Sequence, residues 1–106
     1  MKITINNKRR LNKLLRESTI EQKLIQTVEN RGGKCLKFTS SSGVPDRIIL
    51  LPGGKIGFLE LKAPGKTPRP LQRKRISQLQ RLGFVAGWAA SSESVEQMII
   101  KIEKEG

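Results

Sequence analysis

Two carboxylates and one amine stand at positions where strand geometry would bring them together. Asp46 precedes one strand-like run, and Glu60 and Lys62 lie near the end of the next. The Pro-Gly-Gly sequence at 52–54, between the two runs, predicts a hairpin turn. With a three-residue turn there, Asp46 faces Glu60, and Lys62 points to the same side because side chains alternate along a strand.

Carboxylates that face each other directly on paired strands repel, so this arrangement requires a cation between them. A divalent metal ion would meet that requirement. A two-residue turn would instead shift the pairing by one residue and move the two carboxylates apart. The hypothesis of a metal site therefore depends on the register of this hairpin.

Two further polar residues fall on apolar helix faces when each helix is laid out at about 100° per residue. Glu21 lies inside the apolar arc of the first helix, and Gln72 inside that of the second. The two arcs consist of Ile20, Leu24, Ile25 and Val28, and of Leu71, Ile76, Leu79 and Leu82. An unpaired buried polar group costs roughly 1–3 kcal/mol, so both residues need partners, and a common polar site would supply them.

Each of these residues also has a simpler explanation. Glu21 is the third helical residue of a Ser-Thr-Ile-Glu capping box, and Gln72 could satisfy a nearby backbone group. Glu60 and Lys62 could form a solvated ion pair, while Asp46 could be an ordinary turn residue. The shared hairpin face and the two inward polar groups together favour a site.

The composition excludes several other mechanisms. Histidine and tyrosine are absent, which rules out a Ser-His-Asp triad, a histidine-metal nuclease and a tyrosine nucleophile. The one cysteine, Cys35, is predicted to be a small core residue, and it favours a reducing, cytoplasmic setting. No run approaches the ~18 apolar residues of a membrane span.

The remaining signals predict an α/β fold with elements in the order α-β-β-β-α-β-α. Capping residues, a helix-initiating proline and terminating glycines delimit the helices. The helices are expected to begin at Ser18, Pro70 and Ser91, and the strands to cover 34–38, 47–51, 55–62 and 84–90. We expect a basic N-terminal arm over 1–17 and a single domain over 18–106.

The motif residues resemble a known nuclease signature. Gly43-Val44-Pro45-Asp46, followed by Glu60-Leu61-Lys62 and by Gln72 in the next helix, is similar to the PD-(D/E)XK motif, and specifically to the small standalone VRR-NUC branch of phages and bacteria. The resemblance spans roughly residues 18–90. It implies a restriction-endonuclease-like core, in which helices flank a mixed central sheet, and a single nuclease domain.

The resemblance also implies a role for each motif residue. Asp46 and Glu60 would ligate Mg²⁺ or Mn²⁺ together with the Leu61 carbonyl, and Glu21 would complete the acidic cluster. Lys62 would orient or deprotonate the attacking water, or stabilise charge on the phosphate.

By the same resemblance, Gln72 would position the lysine or a water. The implied activity is a metal-dependent endonuclease selective for branched DNA, such as flaps or four-way junctions, and the implied assembly is a homodimer.

The charge distribution supports a nucleic-acid partner. Lysine and arginine number 21 against nine acids, for a net charge of +12, and the segment between Glu60 and Glu93 has seven basic residues and no acid. Six of these are predicted to contact DNA: Lys66, Arg69, Arg73, Lys74, Arg75 and Arg81. Arg75 lies on the inward arc near Gln72 and is expected to reach the site or a partner subunit. The rival interpretation is a non-catalytic basic nucleic-acid-binding module whose carboxylates only form ion pairs.

Overall fold

The computed structural model describes residues 19–37, 39 and 42–106. The predicted basic arm at 1–17 and the Ser18 cap lie outside these residues. Helix α1 covers 19–29, and a glycine turn ends it: the Gly33 N–H donates to the Val28 carbonyl at 3.0 Å while Gly32 has a φ of 78°. A left-handed glycine just beyond the last turn is the expected helix stop, because it satisfies carbonyls that the helix leaves free.

The other elements follow in the predicted order, α-β-β-β-α-β-α. Within the described residues they pair into a four-stranded sheet with the spatial order β1-β2-β3-β4, in which only the β3–β4 pair is parallel. The sheet is therefore mixed, as expected, and α2 forms the crossover that parallel neighbours require. The bounds are β1 Lys34–Lys37, β2 Arg47–Leu51, β3 Lys55–Leu61, α2 Pro70–Arg81, β4 Val85–Ala89 and α3 Ser92–Glu105.

The β2–β3 hairpin has the register that the metal-site hypothesis requires. Leu51 pairs with Lys55 and Arg47 with Leu59, so the turn holds the three residues 52–54. Both turn glycines adopt left-handed backbone conformations, with φ of 84° at Gly53 and 73° at Gly54, which other residues rarely adopt. The turn chemistry thus fixes which residues face each other at the far end of the hairpin.

One face of the sheet carries the main core. Fully buried side chains of the two central strands pack there with side chains of α1 and α3. They include Ile49 and Leu59 of the strands, and Leu24, Ile99 and Ile102 of the helices. A Cβ on Gly57 would collide with the Ile102 side chain, so the missing side chain allows α3 to approach the sheet.

Helix α2 lies on the opposite face, and its buried side differs from the predicted arc. Gln72 and Ile76 are buried, whereas Leu71 is 39% exposed and Leu82 73% exposed. The prediction that both leucines face the core is wrong, because α2 packs mainly on β4, at the edge of the sheet. Leu71 instead packs against Gly43 in the loop before β2.

Helices that could cross a membrane are absent from the described part of the chain.

Candidate active site

A chain of hydrogen bonds fixes the Glu60 carboxylate at the end of the β2–β3 hairpin. Its Oε2 accepts from the Asp46 N–H at 3.2 Å, and its Oε1 accepts from Gln72 Nε2 at 3.0 Å. Gln72 Oε1 accepts in turn from the Arg69 N–H at 2.8 Å. The start of α2 therefore orients the amide, and the amide orients the carboxylate.

The electrostatic environment of Glu60 disfavours its charged form. Burial raises the pKa of this carboxyl, and the negative charge of Asp46 raises it further. The hydrogen bond from the Asp46 N–H and the charges of Lys62 and Arg69 act in the opposite direction on the pKa without overcoming the increase. A cation placed beside the carboxylate would favour ionisation.

An open cavity of about 380 Å³ adjoins Asp46, the residue whose N–H is bonded to Glu60. It is lined by Glu21, Asp46, Leu61 and Lys62, four of the predicted site residues, and also by Lys66. Glu60 adjoins the cavity through its bond to Asp46. The fold thus gathers the motif residues from α1, the start of β2 and the end of β3 at one end of the sheet.

Arg47 is a site residue that the sequence analysis missed. Its side chain is only 8% exposed, and it lines the cavity next to Asp46. Its Nη2 lies 3.3 Å from Glu21 Oε2, and its Nε lies 3.7 Å from Asp46 Oδ1. A signal was present in the sequence: Arg47 continues the alternation of Ile49 and Leu51, so a basic residue occupies a core-facing strand position and requires a carboxylate.

Glu21 pairs with Arg47 and does not join an acidic cluster. Its side chain is 46% exposed, so it lies at the border of the buried face and is not enclosed in the core as predicted. Within residues 19–37, 39 and 42–106, no three histidine, cysteine, aspartate or glutamate side chains lie close enough to hold a metal ion as a group.

Oxygen donors suited to a hard divalent cation are nevertheless present at the hairpin end. Asp46 and Glu60 supply carboxylates, and the carbonyl of Leu61 is a third candidate. Extending the β2–β3 register by two residues puts Pro45 opposite Leu61, and proline has no N–H to donate to that carbonyl. Two carboxylates and a carbonyl oxygen match the preference of Mg²⁺ or Mn²⁺.

The predicted DNA-binding cations divide into two groups. Among the described residues, none of the seven basic side chains between Glu60 and Glu93 forms an ion pair with a carboxylate. Arg75, however, is directed to the loop before β2, where its Nε donates to the Ser42 carbonyl at 3.4 Å. The remaining predicted contacts lie on exposed positions: Lys66, Arg69, Arg73, Lys74 and Arg81.

A mixed sheet with Pro-Asp and Glu-Leu-Lys at the end of its central hairpin defines the PD-(D/E)XK class of nucleases.

Comparison with known proteins agrees with this class. No family model matches the chain. "Putative nuclease p44" of Acyrthosiphon pisum secondary endosymbiont phage 1 is 47% identical over 73 residues, which cover 67% of this chain and 78% of that protein.

Two solved structures share the fold. A structure described as "VRR_NUC domain" has a TM-score of 0.70 at 26% identity and covers 80% of this chain and 95% of its own. A second, "VRR_NUC domain protein", has a TM-score of 0.66 at 19% identity, with 86% and 90% covered. The chain belongs to the VRR-NUC family of nucleases.

Proposed function

We propose that the protein is a metal-dependent endonuclease that hydrolyses phosphodiester bonds in DNA through Asp46, Glu60 and Lys62. The observation that carries the proposal is the bonded pair of Asp46 and Glu60 beside a cavity that also contains Lys62. Asp46, Glu60 and the Leu61 carbonyl would hold Mg²⁺ or Mn²⁺. When bound, the ion would activate a water and offset charge that develops on the phosphate.

The remaining site residues have distinct tasks in this proposal. Lys62, in the cavity beside Asp46, donates to a phosphate oxygen and stabilises its charge or accepts a proton from the attacking water. Gln72 keeps Glu60 oriented, because it is hydrogen-bonded to that carboxylate and to the start of α2. Lys66 adds a second cation to the cavity wall for the DNA backbone.

The DNA path continues along the exposed side of α2. Arg73, Lys74 and Arg81 are exposed and have no carboxylate partner among the described residues, so phosphate is their available counter-charge. Such contacts follow the shape of the backbone and carry no base sequence information. Selectivity is therefore proposed to be for DNA structure, with branched molecules as the substrate.

A homodimer is proposed as the working unit, in a reducing cytoplasm. Two exposed apolar side chains near the end of α2, Leu82 and Phe84, are the candidate contacts for the dimer. Cys35, the one cysteine, is only half-buried and favours a reducing compartment.

A cleavage panel tests the activity. Single strands, duplexes, flaps and four-way junctions are incubated with Mg²⁺, Mn²⁺ or chelator, using the wild type, Asp46→Ala, Glu60→Ala and the control Glu29→Ala, which removes an exposed carboxylate of α1. We expect metal-dependent cutting, strongest on branched DNA, that only the wild type and the control show. Binding without cutting on every substrate would instead favour the basic nucleic-acid-binding module.

A further inference from the structure

Arg47 is a buried cation that lines the cavity. Only 8% of its side chain is exposed, and its described charged partners are Glu21 and Asp46. The half-buried Cys35 thiol also lies near its guanidinium. Because burying an isolated guanidinium is unfavourable, these two carboxylates determine where the side chain sits.

The two carboxylates are held unequally. Nη2 forms an ion pair with Glu21 at 3.3 Å, while Nε lies 3.7 Å from Asp46 Oδ1. Among the described residues, the buried Nε has no hydrogen-bond partner at all. A buried N–H without an acceptor is unfavourable, and the nearest carboxylate is that of Asp46.

We propose that Arg47 is a positioning residue: its Nε engages one oxygen of Asp46 and so leaves the other oxygen for the metal ion. Glu21 holds the opposite side of the guanidinium, and it therefore acts through Arg47 and is not itself a metal ligand. The inference rests on the proposed function. It accounts for the position of Glu21, which pairs with Arg47 and does not cluster with Asp46 and Glu60.

Metal binding without DNA separates this role from a structural one. Free Mn²⁺ is measured by electron paramagnetic resonance in titrations of the wild type, Arg47→Lys, Arg47→Met and Glu21→Gln. We expect both Arg47 variants to lose about 10- to 100-fold in Mn²⁺ affinity, the range found when a partner of a metal ligand is removed. Arg47→Lys keeps the positive charge but lacks the planar donor fork. A loss of Mn²⁺ affinity in this variant therefore reports on the orientation of Asp46 and not on the charge.

The double variant decides how Glu21 acts. If Glu21 works through Arg47, then Glu21→Gln adds nothing once Arg47→Met is present, and the double variant binds Mn²⁺ as weakly as Arg47→Met alone. If Glu21 ligates the metal itself, the two losses multiply, and this result would overturn the assignment of Glu21.

Arg31→Met is the matched control, because Arg31 also lies between two glutamates, Glu96 at 3.7 Å and Glu103 at 2.7 Å, on the contact between α1 and α3. It should change the melting temperature but not Mn²⁺ affinity. Unchanged Mn²⁺ affinity in folded Arg47 variants would overturn the proposal for Arg47, whereas a wild type that binds no Mn²⁺ would overturn the proposed function and this inference together. If Arg47→Met does not fold, Arg47→Lys and Glu21→Gln, singly and combined, give the same comparison.

Discussion

Gln72 and Glu60 are joined side chain to side chain across 3.0 Å, and this bond connects helix α2 to the central hairpin. Gln72 is buried, and its amide oxygen is occupied by the Arg69 N–H, so only the amide nitrogen can face the carboxylate. The bond therefore has a fixed direction. It also gives the glutamine of the motif a definite partner, the carboxylate, where the sequence had suggested the lysine or a water.

Removing this bond should lower activity without removing the fold. Gln72→Met keeps a side chain of similar volume but can neither donate to Glu60 nor accept from Arg69. We expect a loss of about 10- to 100-fold in metal-dependent cleavage, as for other residues that orient a metal ligand. Gln97→Met on the exposed face of α3 is the control, and equal rates for the two variants would show that the bond has no catalytic importance.

The raised pKa of Glu60 predicts how stability depends on pH in the absence of metal. A carboxyl whose pKa is higher in the folded state binds its proton more tightly there, so its contribution to stability falls as pH rises above the ordinary value of 4.5. Glu60→Gln removes this titration. Urea unfolding of chelator-treated protein at several pH values should show the wild type losing stability relative to Glu60→Gln as pH increases from about 4 to 7. A constant difference between the two proteins would contradict the predicted shift.

The exposed cations of α2 should determine the salt dependence of DNA binding. We expect Arg73→Gln with Lys74→Gln to reduce the slope of log affinity against log salt by about one for each lost phosphate contact. The measurement uses chelator, so that no cleavage occurs. Lys55→Gln, at the turn end of the hairpin and away from Asp46, is the control with one charge removed. A slope equal to that of the wild type would exclude the pair from the DNA path.

Substitution of Gly43 should destabilise the protein more than substitution of Gly53, which has nearly the same backbone conformation. Gly43 and Gly53 have φ of 82° and 84°, but a Cβ on Gly43 would lie 2.7 Å from the Leu71 Cγ, whereas one on Gly53 would meet nothing within 4 Å. We expect Gly53→Ala to cost about 1–2 kcal/mol of unfolding free energy, the price of the left-handed backbone alone. Gly43→Ala should cost more and should also reduce cleavage, because the loop leads into Asp46. Urea unfolding and cleavage assays measure both effects, and equal costs would show that the Leu71 contact is unimportant.

The hairpin could be predicted from the sequence because its turn specifies its register. The Pro-Gly-Gly turn sets the pairing of Arg47 with Leu59, and the same register, extended by one residue, places Asp46 opposite Glu60. The order of the elements was equally accessible, since capping residues and glycines mark their ends. Gln72 was identified by its position on an apolar helix face, and it is buried.

Other features depend on contacts that local patterns do not encode. A helical wheel gives the relative orientation of residues but not which strands the helix covers, so Leu71 and Leu82 were assigned to the core and are exposed. Arg47 was missed for a related reason: its importance arises from Glu21 in α1, a residue distant in sequence. The partner of a buried charge becomes known only when the packing of the helices on the sheet is known.

Pro45 lies where the pairing of β2 with β3 ends, next to Asp46. From the turn up to Arg47, β2 forms backbone pairs with β3 that hold the sheet together. At Pro45, which is buried and has no N–H, the opposite strand reaches a residue that cannot extend the ladder by donating to it. The proline thus ends the pairing of β2 with β3, and it leaves the Leu61 carbonyl opposite it without a backbone donor from that strand, while β3 still pairs with β4 on its other side.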